Sequence, residues 1–201
     1  IMISVPSYGK QLYLSDSLST TGLDRIKPWD ASAAVSSTLS SGTATITTQA
    51  SVTASFAGNV ASKTVSYTTG TGTNRLMMVG ISTEDDRGST GFNVTGVSYA
   101  GNALTKLQER ATSQEAIVEL WYLVNPPSGN GTVTVTTSNG EAIDAMVIGV
   151  TVFSGVNQTT PFDANTMVQD DTSPYQVSIN NSAAGDLVYG LIAIDDSRAL
   201  T

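Results

Sequence analysis

The run Gly131-Thr132-Val133-Thr134-Val135-Thr136 alternates valine with threonine. Side chains that repeat every second residue fall on one face of a pleated strand, so this stretch reads as a strand with valines on one face and threonines on the other. β-Branched residues suit that setting, because their restricted χ1 packs well on a pleated surface. Working outward, Thr43-Ala44-Thr45-Ile46-Thr47 and Lys63-Thr64-Val65-Ser66-Tyr67-Thr68 follow the same period. Helical periodicity is almost absent.

Three runs are apolar without alternation: Leu76–Ile81, Met146–Phe153 and Leu187–Ile194. Each predicts a strand buried on both faces, which requires a layer above and a layer below. A short buried helix competes, but Gly80, Gly149 and Gly190 and the β-branched content favour strand. Turn signals punctuate the chain. Ala100-Gly101-Asn102 predicts a hairpin joining Val94–Tyr99 to Ala103–Glu109. Pro126-Pro127-Ser128-Gly129 separates Glu115–Val124 from the Thr132 strand. Many short strands with frequent turns indicate an all-β antiparallel sandwich of jelly-roll type.

Before residue 50 the pattern loosens, with Asp24–Asp30 around Pro28 and Trp29 and a Ser/Ala-rich run from Ala31 to Ser41. The expected division is therefore 1–50 as an N-terminal arm or outer strands and 51–201 as the sandwich. An ordinary first pair of strands is the competing reading.

Of 201 residues, 40% are hydrophobic and only 13% charged; Ser and Thr fill about a quarter of the chain. Nine basic against 17 acidic residues give a net charge of −8. That balance argues against nucleic acid and anionic membrane surfaces as partners, since both need basic patches. The chain has neither Cys nor His, which removes disulfides, thiolate nucleophiles, Ser-His-Asp triads and imidazole-bound metals. The longest apolar stretch, Met146–Val156, falls short of the ~20 residues of a membrane-spanning helix. Ile1 is not an initiating residue, so a processed chain or a piece of a longer one is expected.

A series of motifs then stands out: Gly72-Thr73-Asn74-Arg75-Leu76-Met77-Met78-Val79-Gly80-Ile81-Ser82, the acidic Glu84-Asp85-Asp86, and Val94-Thr95-Gly96-Val97-Ser98-Tyr99-Ala100-Gly101-Asn102-Ala103-Leu104-Thr105. Val118–Leu123, Pro126–Gly129 and Phe153-Ser154-Gly155-Val156-Asn157-Gln158-Thr159-Thr160-Pro161 complete it. From about Ser51 to Asp195 the chain resembles jelly-roll-like β-sandwich modules of large secreted or surface-attached microbial proteins. The resemblance implies an extracellular or cell-surface setting and a non-enzymatic, structural or adhesive role. It also implies further strands after Leu187–Ile194, where this sequence ends at Thr201. A sandwich short of a strand exposes an edge, and an edge is most readily filled by strand addition from another chain. Ile1, Ile3 and Val5, followed by Leu12 and Leu14, form the candidate assembly strand. Repeated head to tail, such an exchange builds a filament, the expected homopolymer.

Other candidates carry a plainer reading beside them. Clustered carboxylates suit Ca²⁺, with Glu84, Asp85 and Asp86 as ligands, but solvated loop residues look the same. No other cofactor is expected. Asn93, Asn130, Asn157 and Asn180 open Asn-x-Ser/Thr glycosylation sequons, frequent by chance in such a composition. Trp121 and Tyr122 suit stacking on glycans, the basis of an alternative role as a carbohydrate-binding accessory module, although a core position for them is the simpler reading. A viral fibre or decoration protein is a third setting for the same fold. Paired carboxylates could serve acid–base catalysis, but no sequence feature marks a pair.

Overall fold

The computed structural model describes residues 2–5, 10–13, 46–57, 62–84, 93–111, 116–138, 145–168, 177–179 and 186–194. Twelve strands run through them: β1 (Met2–Val5), β2 (Lys10–Tyr13), β3 (Thr47–Ala57), β4 (Ser62–Thr69), β5 (Leu76–Glu84), β6 (Val94–Tyr99), β7 (Asn102–Ala103), β8 (Thr105–Ala111), β9 (Ala116–Val124), β10 (Gly129–Thr137), β11 (Ala145–Ser154) and β12 (Ile192–Ile194). There is no helix among the described residues.

Two antiparallel sheets, of order β3-β11-β5-β9-β8 and β4-β10-β6-β7, face one another. The first strand of the sandwich, β3, pairs with its last, β11. Inside that pair β4 meets β10, then β5 meets β9, then β6 meets β7. Nested pairing of first with last is the signature of a jelly roll, and this chain has it. The expected all-β, jelly-roll-like sandwich is therefore the fold.

Alternation places the core. On β4, Lys63, Val65, Tyr67 and Thr69 are buried while Ser62, Thr64, Ser66 and Thr68 are exposed. On β10, Val133 and Val135 point inward, as the opening stretch predicted. They meet Met77, Val79 and Ile81 of β5 and Met146, Ile148, Val150 and Val152 of β11. In this core the Tyr99 ring lies against Gly131, where a Cβ would come within 2.6 Å of it. The Tyr99 hydroxyl accepts from Thr69 Oγ1 (3.0 Å) and donates to the Gly129 carbonyl (3.0 Å).

The two apolar runs Leu76–Ile81 and Met146–Phe153 are buried on both faces, as expected. The third, Leu187–Ile194, is not a doubly buried strand. Only Ile192–Ile194 form strand β12, and residues 187–191 are half-buried without regular pairing. The reason is geometric: this segment is the cover, not the covered. Leu187 and Tyr189 pack on Leu76, Met78, Phe153 and Val156 across the outer face of the five-stranded sheet. Leu191 sits over Gly80. The layer demanded by β5 and β11 is thus supplied partly by a third run of similar apolar composition.

The expected turn is present, with Tyr99 opposite Asn102, but only Asn102–Ala103 pair with β6, while Thr105–Ala111 cross to the other sheet as β8 beside β9. Its two loop residues, Ala100 and Gly101, both have positive φ (46° and 81°), which makes a type I′ turn. Alanine is strained there, whereas Asn-Gly is the favoured pair. Ala100→Asn is expected to stabilise the fold by about 0.5–1 kcal/mol, read from a raised urea midpoint at unchanged slope.

Candidate functional site

Both ends of the chain meet in a small third sheet. β1 and β2 form a hairpin in which Met2 lies opposite Tyr13, Ile3 opposite Leu12 and Val5 opposite Lys10. β2 pairs in turn with β12, with Leu12 opposite Ala193. Of the candidate assembly residues, Ile3, Val5 and Leu12 are strand residues here, while Ile1 and Leu14 lie outside the described residues. The β2–β12 pairing links residues on either side of the boundary expected near residue 50. β1 runs close to β3 and β11, and β12 close to β9. β2 ends at Tyr13 and β3 begins at Thr47, so residues 14–46 join the hairpin to the sandwich.

Three of the motifs that carry the resemblance meet through their loops, at Gly72–Arg75, Asn125–Pro126 and Gly155–Gln158. Arg75 Nη1 donates to the Gly72 carbonyl (2.6 Å) and Arg75 Nε to the Pro126 carbonyl (2.9 Å). Asn125 N–H donates to the Arg75 carbonyl (2.8 Å), and Gln158 Nε2 reaches that same carbonyl (3.2 Å). Gly155 and Val156 N–H groups donate to the carbonyls of Thr73 and Asn74. Three loops distant in sequence are laced together by one guanidinium and by backbone bonds. These contacts satisfy the polar groups of the turns they join, and so account for the motifs as architecture.

A polar cluster that the sequence reading passed over lies on β8 and β9. Glu119 is 1% exposed on the core-facing side of β9. Trp121 Nε1 donates to its Oε2 (2.6 Å) and Lys106 Nζ to its Oε1 (3.0 Å). Lys106 also pairs with Glu109, which stands directly opposite Glu119 in the β8–β9 register, and sits 5.0 Å from the Trp121 ring centroid. Burial pushes the Glu119 carboxyl above its ordinary range, with the Trp121 and Lys106 hydrogen bonds offsetting part of the rise. Lys106, more open to water, is lowered by its own burial but raised further by the two carboxylates, for a net increase. The signal was in the sequence: Glu119 interrupts Ala116–Val124, and a charge amid apolar residues calls for a partner. With both its oxygens engaged, Glu119 is held as a structural ion pair.

The remaining candidates are scattered. Glu84 ends β5, while Asp85 and Asp86 lie outside the described residues. Among the described residues no three Asp, Glu, His or Cys side chains gather as a metal site. Asn93, Asn130 and Asn157 are exposed, and Asn180 lies outside the described residues. Asn130 Oδ1 accepts from Thr68 Oγ1 (2.7 Å), and Asn157 Oδ1 caps its own turn through the N–H groups of Thr159 and Thr160. Trp121 is a core residue, 6% exposed, and Tyr122 packs edge-on against Phe162 on the outer face. No helix among the described residues is long and apolar enough to cross a membrane. No family model matches the chain, and neither the curated proteins nor the solved structures compared with it give a match.

Proposed function

We propose that this chain is a structural, extracellular subunit that self-associates through exchange of its N-terminal hairpin. The observation that carries the reading is the third sheet, built from both ends of the chain. β1 and β2 pair with β12, and residues 14–46 could reach on the order of 100 Å if extended. The pairing that closes the sheet within one chain can then form equally between neighbours. Exchange of an identical element costs little, because the same contacts are made in either arrangement. One end of each copy engages the other end of the next, which is a heterologous contact, and a filament results where it does not close into a ring. The low charge, the hydroxyl-rich exposed face of β4 and the absence of His and Cys suit a structural surface role.

The carbohydrate-binding alternative calls for an exposed aromatic row. Among the described residues with assigned burial, every Tyr, Trp and Phe is at least partly buried. Deleting Ile1–Asp16 tests the proposal. The truncated chain is expected to stay monomeric by light scattering while keeping the wild-type near-ultraviolet circular dichroism and a cooperative melt. A truncation that assembles as the whole chain does would overturn the proposal.

A further inference from the structure

Among the described residues the sandwich protects its edges unequally, and one of them carries no blunting device. A sheet edge invites pairing unless charge, proline or brevity blunts it. β8 carries Lys106, Glu109 and Arg110. β7 has only two residues. β4 carries an inward Lys63, lying 5.3 Å from the Phe56 ring centroid. β3 has none of these devices: eleven residues, Thr47–Ala57, without a charge, a proline or a glycine. Among the described residues its one ladder partner is β11.

The two ends of β3 differ. Near Gln49 and Ala50 the register against β11 shifts, and the rest of the molecule takes hold of the strand. Tyr67 donates its hydroxyl to the Ala50 carbonyl, and Gln49 Oε1 accepts from the Gly70 N–H (2.9 Å). From Ser51 to Ala57 the ladder with β11 is regular down to Ala145. Here Val52, Ala54 and Phe56 face the core and stay only partly buried at its margin, while Ser51, Thr53, Ser55 and Ala57 face the opposite side.

This segment is complementary to itself. We infer that Ser51–Ala57 pairs antiparallel with the same strand of a second copy, about a two-fold axis at Ala54, joining two five-stranded sheets into one. In that register Val52 lies opposite Phe56 of the second copy, a β-branched–aromatic pair of the favourable kind, and it occurs twice. Thr53 lies opposite Ser55, a hydroxyl pair on the other face, also twice. Ser51 meets Ala57, and no charge faces another. The half-buried Val52 and Phe56 gain the cover that their own chain leaves incomplete. An isologous contact of this kind is independent of hairpin exchange. Combined with it, the contact would tie filaments side by side.

Cysteine crosslinking of the full chain tests the inference cleanly, because the chain has no native Cys. Directly opposed Cα atoms in an antiparallel pair are roughly 4.5–5.5 Å apart, inside the range a disulfide spans. Ala54→Cys is therefore expected to give a covalent dimer under mild oxidation. Ala57→Cys is expected to give none, since the two sulfurs would be about 20 Å apart along the strands. A mixture of Ser51→Cys and Ala57→Cys chains should crosslink only with each other. Should Ala54→Cys disturb the core, a mixture of Thr53→Cys and Ser55→Cys chains reads the same register from the other face. Absence of the 54–54 and 53–55 crosslinks, or equal crosslinking at 54 and 57, overturns the inference. Filaments without these crosslinks leave hairpin exchange standing and remove the β3 contact; crosslinked dimers without filaments do the reverse.

Discussion

Ile148→Ala is expected to cost about 3–4 kcal/mol of folding free energy. Ile148 has no exposed surface and lies in the main core on β11, between β3 and β5, with Ile81 opposite on one side and Ala54 on the other. Its backbone is held by ladders on both sides, so the surroundings can collapse only partly onto the missing atoms. The loss then includes a cavity contribution as well as the transfer free energy. Against a total stability of roughly 5–15 kcal/mol, one such change removes a large share. Thr132→Ala, on the exposed face of β10, is expected to stay within about 0.5 kcal/mol of wild type. The check is a pair of urea titrations at common slope. A loss below about 1 kcal/mol at Ile148 would mean that β11 is not the packed centre of the sandwich.

The second large effect is expected at Lys106. Lys106→Ala leaves the Glu119 carboxylate buried, with the Trp121 indole as its remaining hydrogen-bond donor. Breaking a buried pair by removing one partner is costly, and because Lys106 is itself partly open to water the expected loss near neutral pH is about 2–3 kcal/mol. The pH dependence identifies the cause. Glu119 already has a raised carboxyl pKa in the folded chain, so folding favours its protonated form. Its contribution to stability is fully present below the ordinary carboxylate pKa and fades as pH rises through the folded value. Without Lys106 the folded value rises further, and the deficit of the variant should shrink as the pH falls towards 4.5, the group's ordinary value. Glu119→Gln keeps an acceptor for the indole and is expected to remove this component of the pH dependence. A Lys106→Ala deficit that is equally large at acid and neutral pH would contradict the ion-pair account.

What the sequence made legible, and what it did not, follows from the range of the interactions involved. Period-two alternation is local, so Gly131–Thr136 and Lys63–Thr68 are readable without any knowledge of their neighbours. The doubly buried Met146–Phe153 is readable for the same reason, since a strand apolar on both faces needs two layers whatever supplies them. Leu187–Ile194 has a similar composition and a different fate, because composition does not say whether a segment enters a ladder or lies across one. The Glu119 cluster depends on register: Glu109 and Glu119 are opposed only once β8 and β9 pair with their irregularity between Lys106 and Gln108. The joining of Gly72–Arg75 with Pro126 and Gln158 likewise exists only in three dimensions, although each loop had stood out as a motif. The pairing of β2 with β12 lies furthest from what one sequence can reveal, since it joins opposite ends of the chain.

Self-association through the terminal sheet is the central claim, and native assembly tests it most directly. The measurement is negative-stain electron microscopy of the untreated full chain, with light scattering on the same sample. The account predicts regular filaments, lost on deletion of residues 1–16. A compact monomer of 20.8 kDa at all concentrations would contradict it.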